Sequence, residues 1–533
     1  MRVLYQILFL FLTCFAHAQS SDIDMFYSRN HFGFYQNFDS LFKFHDALKL
    51  PGETYFCKTD SIQAINKKFE VKKSNFTMQV LPIVTSVHGI ELTTKKTQTD
   101  NQLGTTWIVN NNKLTVRLNY IASFQNLSEI ERNPANGYLL TDTTGILNHW
   151  GRYRKINENY GAYHQLTGYV KYEFAKYLSI TAGRDKNFVG DGYRSLFLSE
   201  NANAYPFLRI NSEFWRIKYF WMLSSLKDIY EGTENSLIIN SDLSNSNHLY
   251  EKYTATHVAS LNLGKRLNIY VFETVIWAGN DSVGYRGVDA NYMNPLIFFR
   301  PVEYQLGSPD NVLLGLGGKW NILKFTQLYG QLLLDEFFLK EVKARNGWWG
   351  NKFGIQTGAK LSLPIANGFI FLQGEANMVR PFTYSHQLTT ENYGHFYQPL
   401  AHPLGANFKE VVGIAAYSKN KWIVQAKIVI NSQGIEGDST NINFGGNIYK
   451  SYETRRGLQT DTETGYTIAN GYLNKTKYLE CKISYIINKT WNMRLESGFI
   501  LRQQTCMTMG YNQKYMGVFA GFRTCIYNQS RDY

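Results

Sequence analysis

The sequence predicts an all-β fold, a transmembrane antiparallel outer-membrane β-barrel of roughly 16–18 strands with long external loops. Three observations carry this. Apolar and polar residues alternate with period two along many segments. Short and long connections alternate between those segments. The composition combines 37 Tyr and 35 Phe with 42 Gly and only 11 Pro. Past the N-terminus no run of about 18 apolar residues occurs, so no helix is expected to cross a bilayer.

The chain opens MRVLYQILFLFLTCFAHAQS. Arg2 gives a basic start, Val3 to Phe15 an apolar stretch, and Ala16-His17-Ala18 a small-residue cleavage site. This reads as a Sec-type secretory signal, residues 1–18, cut before Gln19. Phe11-Leu12-Thr13 before Cys14 makes a poor lipoprotein signal. Residues 19–74 alternate poorly and read as a periplasmic or lumen-associated segment. Residues 75–533 read as the barrel, placed in the cell outer membrane after signal removal.

Strands are clearest at six places. Leu114, Val116, Leu118, Tyr120 and Ala122 share one face, and Thr115, Arg117 and Asn119 the other. Leu166 to Phe174 repeats the pattern, with Thr167, Lys171 and Glu173 on the polar face. Trp422, Val424, Ala426, Ile428 and Ile430 form an apolar face, as do Leu479, Cys481, Ile483, Tyr485 and Ile487. Met493, Leu495, Phe499 and Leu501 face away from Arg494 and Glu496. Met516, Val518, Ala520 and Phe522 supply a closing strand near the C-terminus. Short turns fall near 175–176, 264–265, 321–322, 364–368, 418–420 and 488–490. Long connections cover 185–205, 227–250, 279–311, 339–351, 379–408 and 431–477. A membrane barrel sorts its loops this way, short on the periplasmic side and long outside. A secreted sandwich or propeller is also rich in aromatics, but has no reason to do so.

The formal charge is +13. In an exported chain this points away from nucleic acid and toward anionic polysaccharide, lipid headgroups or an ordinary solvated surface. Cys57, Cys481, Cys506 and Cys525 form no CxxC pair, which gives no support to a zinc or thioredoxin site. Cys481 falls on the apolar face of its strand, as a small lipid-facing residue would.

Three long loops carry distinctive motifs. The first, GRDKNFVGDGYRSLFLSENANAYPFLRI, spans 183–210. It contains neither GK[ST] nor a helix-opening GxGxxG, so a phosphate loop is not indicated. It reads as a folded loop at the barrel mouth, with Arg184 and Asp185 able to pair in the lumen. The second, YMNPLIFFRPVEYQLGSPDN, spans 292–311. It is too apolar for a solvated tip and is expected to pack into or over the lumen, with Arg300 and Glu303 as an ion pair. The third, NYGHFYQPLAHPLGANFKE, spans 392–410. His395, His402 and nearby His386 match no standard zinc spacing, and neither HExxH nor GxSxG occurs. Its prolines and glycines predict a rigidly turned loop lining the mouth.

These three motifs together resemble the Wzi-type capsule-assembly outer-membrane proteins, and within that group the Bacteroidetes branch of RemB-type gliding-motility proteins. The resemblance covers roughly residues 75–530. It implies a non-enzymatic surface barrel without cofactors, supporting gliding motility or adhesion in one branch and capsular polysaccharide attachment in the other. A solute channel is a further alternative. Outer-membrane lipid, surface polysaccharide and motility or adhesion proteins are the expected partners, with no nucleic acid. Candidate ligand contacts are Arg184, Asp185, Asn201, Asn203, Arg300, Glu303, His395, Tyr397, Gln398 and His402. The rings of Tyr393, Phe396 and Tyr397 are expected to pack within the loop, with stacking on sugars as the alternative if they are exposed.

Overall fold

The structure is a computed structural model. It describes residues 70–73, 76–126, 139–140, 144–147, 151–156, 160–229, 249–264, 266–280, 284–295, 310–323, 325–365, 368–436, 443–455, 463–488, 493–524 and 532. Among these, eighteen long strands form one closed antiparallel barrel. They are β1 (Phe76–Glu91), β2 (Thr97–Asn111), β3 (Leu114–Asn126), β4 (Tyr160–Ala175), β5 (Leu178–Asp185) and β6 (Tyr205–Phe214). Next come β7 (Ile217–Ile229), β8 (Leu249–Leu263), β9 (Leu267–Ala278), β10 (Asn311–Leu323), β11 (Thr326–Glu336) and β12 (Lys352–Ile365). The wall ends with β13 (Gly368–Val379), β14 (Phe408–Lys419), β15 (Trp422–Ile435), β16 (Tyr472–Asn488), β17 (Met493–Cys506) and β18 (Tyr511–Arg523).

Each strand pairs with its sequence neighbour, and β18 returns to β1 from Arg523↔Thr85 to Gly517↔Glu91. Closure removes the edges that an open sheet would expose, which a bilayer requires. The short strand Glu70–Lys73 pairs with the first residues of β1. All connections at one end of the barrel are brief, such as 112–113, 215–216 and 420–421. Asn420 sits at φ 55 there, a conformation that Asn tolerates in tight turns. The opposite end carries every long loop, and also two short ones, 92–96 and 507–510. Strict short–long alternation therefore fails only beside the seam.

Period two sets the two faces. On β3, Leu118 and Tyr120 are exposed outward while Arg117 and Asn119 are buried inside. The same holds for Val424 and Ile428 against Gln425 and Lys427 on β15. Cys481 is a free thiol on the outer face of β16, and Cys506 is free and buried. Near the short-turn end, Trp107, Tyr177, Phe214, Trp215, Trp320 and Trp422 all face outward, with Trp215 68% exposed. Amphipathic rings at this level suit one membrane–water interface.

One stretch of the outer wall is covered by the chain itself. Tyr253 of β8 and Trp277 of β9 lie on the outward face yet are buried. The segment 284–295 lies over them. Trp277 Nε1 donates to Gly287 O at 2.9 Å, and Tyr292 packs on Trp277 with ring centroids 5.1 Å apart. Arg286 holds the segment by ion pairs to Asp289 and Asp310, each at 2.6 Å. Tyr219 of β7 donates to Pro295 O. The first residues of the apolar motif, 292–295, pack on the outside of the wall, because the outward face of β7–β9 offers large rings for them to bury. Its apolar stretch 296–299, expected to pack into or over the lumen, lies outside the described residues. Arg300 and Glu303 lie outside the described residues.

Candidate functional site

The lumen is crossed by residues 186–204, between β5 and β6. This loop reaches the far wall at β10–β14 and is fixed there by side chains whose inward direction the strand period dictates. Gln331 of β11 accepts from Leu196 N at 2.8 Å and donates to Val189 O at 3.1 Å. Glu375 of β13 accepts from Tyr193 N at 2.6 Å and Arg194 N at 3.0 Å. Lys319 pairs with Asp191 at 3.3 Å. The Phe197 ring stacks on Phe272 with centroids 4.9 Å apart. A Cβ at Gly315 would stand 2.4 Å from the Phe197 ring, so this position of β10 needs glycine to seat the loop.

Arg194 is the loop's electrostatic centre. It is buried and meets Glu410 of β14 at 3.2 Å and Asp532 at 2.8 Å. Asp532 also pairs with Lys427 at 2.8 Å and accepts from Tyr193 Oη at 2.5 Å. The end of the chain thus joins the far wall and the crossing loop. A charge buried in this way is tolerated only because its partners are fixed in place.

Residues 380–407 form a second layer. Phe382, Tyr384, Phe396 and Tyr397 all have φ between 50 and 71, where a bulky side chain costs backbone energy. Phe396 and Tyr397 make the two-residue turn of a small hairpin, Gly394–His395 against Gln398–Pro399. Asn-Gly is the usual pair in such a turn. Here the rings compensate: Tyr397 stacks on Tyr449 at 4.2 Å. Tyr384 Oη donates to Leu196 O at 2.7 Å, joining the two layers. Asn407 clamps three segments by donating to the carbonyls of Gly434, Phe444 and Asn470 at 3.1, 3.2 and 2.8 Å.

The ten expected ligand contacts divide as follows. Asp185 is buried, its carboxylate accepting from Lys186 N at 2.9 Å. Arg184 donates to Leu166 O at 2.8 Å. The lumenal Arg184–Asp185 pair is therefore not formed, because adjacent strand residues point to opposite faces. Asn201 and Asn203 are buried within the loops; Asn201 donates to Pro399 O at 2.9 Å, and Asn203 accepts from Gln165 at 3.4 Å. His395 Nδ1 accepts from Lys227 N at 3.0 Å, and burial lowers its imidazole to about 3. His402 Nδ1 accepts from Leu404 N at 3.2 Å, so its proton lies on Nε2, which donates to Glu410 at 2.7 Å. His386 lies 3.0 Å from Glu391. The three histidines thus meet different partners, and no group of three or more His, Cys, Asp or Glu among the described residues is arranged to hold a metal. Gln398 is buried in the hairpin. Tyr393 is 1% exposed and packs on Tyr384 at 5.9 Å, the loop packing expected for it. Burying rings is what holds this loop in its strained shape.

The reading of the sequence missed the outermost layer. Trp348 and Trp349 lie on the β11–β12 connection, and both are half-buried. Trp349 packs on Tyr452 at 4.9 Å, with Arg455 over its ring at 4.2 Å. Its Nε1 donates to Glu463 at 2.8 Å. Hydrogen bonding from Arg455 holds the Glu463 carboxyl below its ordinary value. Partly exposed indoles edged by a guanidinium and a carboxylate can stack on a sugar ring and hydrogen-bond its hydroxyls. The sequence signal was Gly-Trp-Trp-Gly, residues 347–350, in a long loop.

No protein-family model matches the chain, and no curated protein matches it. Among solved structures it is similar to Wzi of Escherichia coli, described as an outer-membrane protein involved in group 1 capsule assembly and as a carbohydrate-binding β-barrel. The TM-score is 0.50 at 13% identity, over 85% of this chain and 84% of that one. OprD of Pseudomonas aeruginosa matches with a TM-score of 0.41 at 9% identity, over 85% and 96% of the two chains. OpdK of the same organism matches with 0.40 at 7%, over 84% and 98%. At these identities the likeness is one of fold: the chain has the closed β-barrel architecture of outer-membrane proteins.

Proposed function

We propose that this chain is a non-enzymatic barrel of the cell outer membrane that holds surface polysaccharide at its outer mouth. The observation that carries the proposal is the crossing of the lumen by residues 186–204, tied to the far wall through Arg194, Glu410 and Glu375. A lumen filled by its own loop favours a binding surface over a solute path. The fold likeness to a barrel described as carbohydrate-binding supports the same reading. The contacts are assigned to the outermost layer, with Trp348 and Trp349 as stacking surfaces and Arg455 meeting acidic groups. The buried polar residues beneath, His395, Gln398, His402, Asn201 and Asn203, shape the mouth and touch no ligand. The resemblance to motility proteins finds no separate support in this geometry.

A strain lacking the protein, scored for polysaccharide retention and for spreading on agar, tests this. The proposal expects polysaccharide shed into the medium while spreading is unchanged. The same loss is expected when Trp348→Ala and Trp349→Ala are combined. Retained polysaccharide with lost spreading would sink the proposal and favour the motility branch.

A further inference from the structure

The connection from β11 to β12 carries a short helix, α1 (Leu339–Ala344), with the sequence LKEVKA. Its exposed side does not suit a solvated loop tip. Phe337, Phe338, Leu339 and Val342 are all exposed, Leu339 to 53%. Helical spacing puts Leu339 and Val342 on one side with Lys340 and Lys343 beside it, and the extended N-cap residue Phe338 precedes them. Arg345 follows at φ 53, its N–H donating to Val342 O. The acid of the helix, Glu341, turns away and accepts from Asn346 Nδ2 at 2.6 Å. Lys340, Lys343 and Arg345 are exposed and form no ion pair among the described residues. The segment is held in place: Phe338 N donates to Asn351 Oδ1 at 2.8 Å, and the Phe338 ring meets Trp348 edge-on at 6.1 Å.

Height decides what this face meets. Trp320 and Leu323 mark the lower rim of the outward apolar band on β10. From Thr326 to Phe337 is 11 residues. At about 3.3 Å per residue and a tilt of roughly 40°, that is a rise of about 28 Å. The apolar band of an outer-membrane barrel is about 25 Å tall. Phe337 and α1 therefore stand at the upper rim, directly above the lipid-facing Leu328 and Leu332 of β11 and Ile355 of β12.

We propose that α1 and its flanks dock onto the anionic, phosphorylated lipid surface of the outer leaflet. Phe337, Phe338, Leu339 and Val342 continue the apolar band into the acyl boundary. Lys340, Lys343 and Arg345 extend from that level to the headgroup phosphates, their stems lying along apolar surface. The Phe338 ring meets Trp348, so this surface borders the saccharide contacts assigned to Trp348 and Trp349.

The test uses the full-length protein in vesicles of phosphatidylcholine alone or with lipid A. A spin label is placed at Leu339→Cys, with signal from the parent protein subtracted. A label at Glu453→Cys on an exposed loop serves as the aqueous reference. With lipid A, the Leu339 label should be open to oxygen and shielded from a water-soluble nickel chelate; the Glu453 label should show the reverse. Combined Lys340→Gln, Lys343→Gln and Arg345→Gln should weaken lipid A retention by about fivefold per cation removed. In phosphatidylcholine alone, the variant and parent should match. A Leu339 label open to nickel, or shielded from both reagents as under a protein partner, would overturn the proposal. So would a triple variant that retains lipid A as the parent does.

Discussion

At the scale of residues, the mouth is held by buried charges and buried rings. Glu410 accepts from both Arg194 and His402. Glu410→Ala leaves a buried guanidinium short of one partner, a class of change that costs about 3 kcal/mol or more. Denaturant unfolding of the variant should show a loss of that order, and a midpoint equal to that of the parent would refute the role. His395 gives a pH dependence whose sign follows from its burial. Its imidazole is lowered to about 3, against about 6.5 in an unfolded chain. Between these values the unfolded chain binds a proton that the folded one does not. Stability is thus complete near pH 7 and falls toward pH 3, by up to about 1.4 kcal/mol per pH unit. His402 is lowered in the same direction by burial, so His395→Gln should flatten the curve only in part. Identical slopes for parent and variant would contradict this account.

At the scale of elements, strands were readable in the sequence and loop directions were not. The alternations in β3, β4, β15 and β16 identify both the strand and its lipid face, because burial on a barrel wall has period two. On β8 and β9, Tyr253 and Trp277 look lipid-facing by the same rule, yet 284–295 covers them. Periodicity cannot reveal a cover supplied by a distant segment. The motif at 183–210 was readable as a folded loop, but its seat was not. That seat depends on Gln331, Glu375 and Gly315, each more than one hundred residues away in sequence. Arg194, the centre of the seat, stood in the quoted motif without a signal to distinguish it from Arg184. Gly315→Val would drive a side chain into the Phe197 ring. Overpacking of this kind costs about 1–3 kcal/mol, and here it should act on the loop before the wall. Proteolysis within 186–204 should rise while the strands stay protected. Cleavage no faster than in the parent would show that the loop is not seated on β10.

At the scale of the whole molecule, eighteen strands enclose a lumen wide enough for a channel. What separates a binder from a channel is what fills that lumen. Residues 186–204, the layer at 380–407 and Asp532 meet inside it through Arg194, Tyr384 and Lys427. The closing strand β18 was readable from the terminal alternation, whereas its pairing with β1 and the meeting of Asp532 with Arg194 across more than three hundred residues were not. The measurement that tests the central claim most directly is single-channel conductance of the purified protein in a planar bilayer. The account predicts no steady open level for the parent, and an ohmic open level once residues 187–203 are replaced by a short Gly-Ser turn. A steady, porin-like conductance in the parent would contradict it.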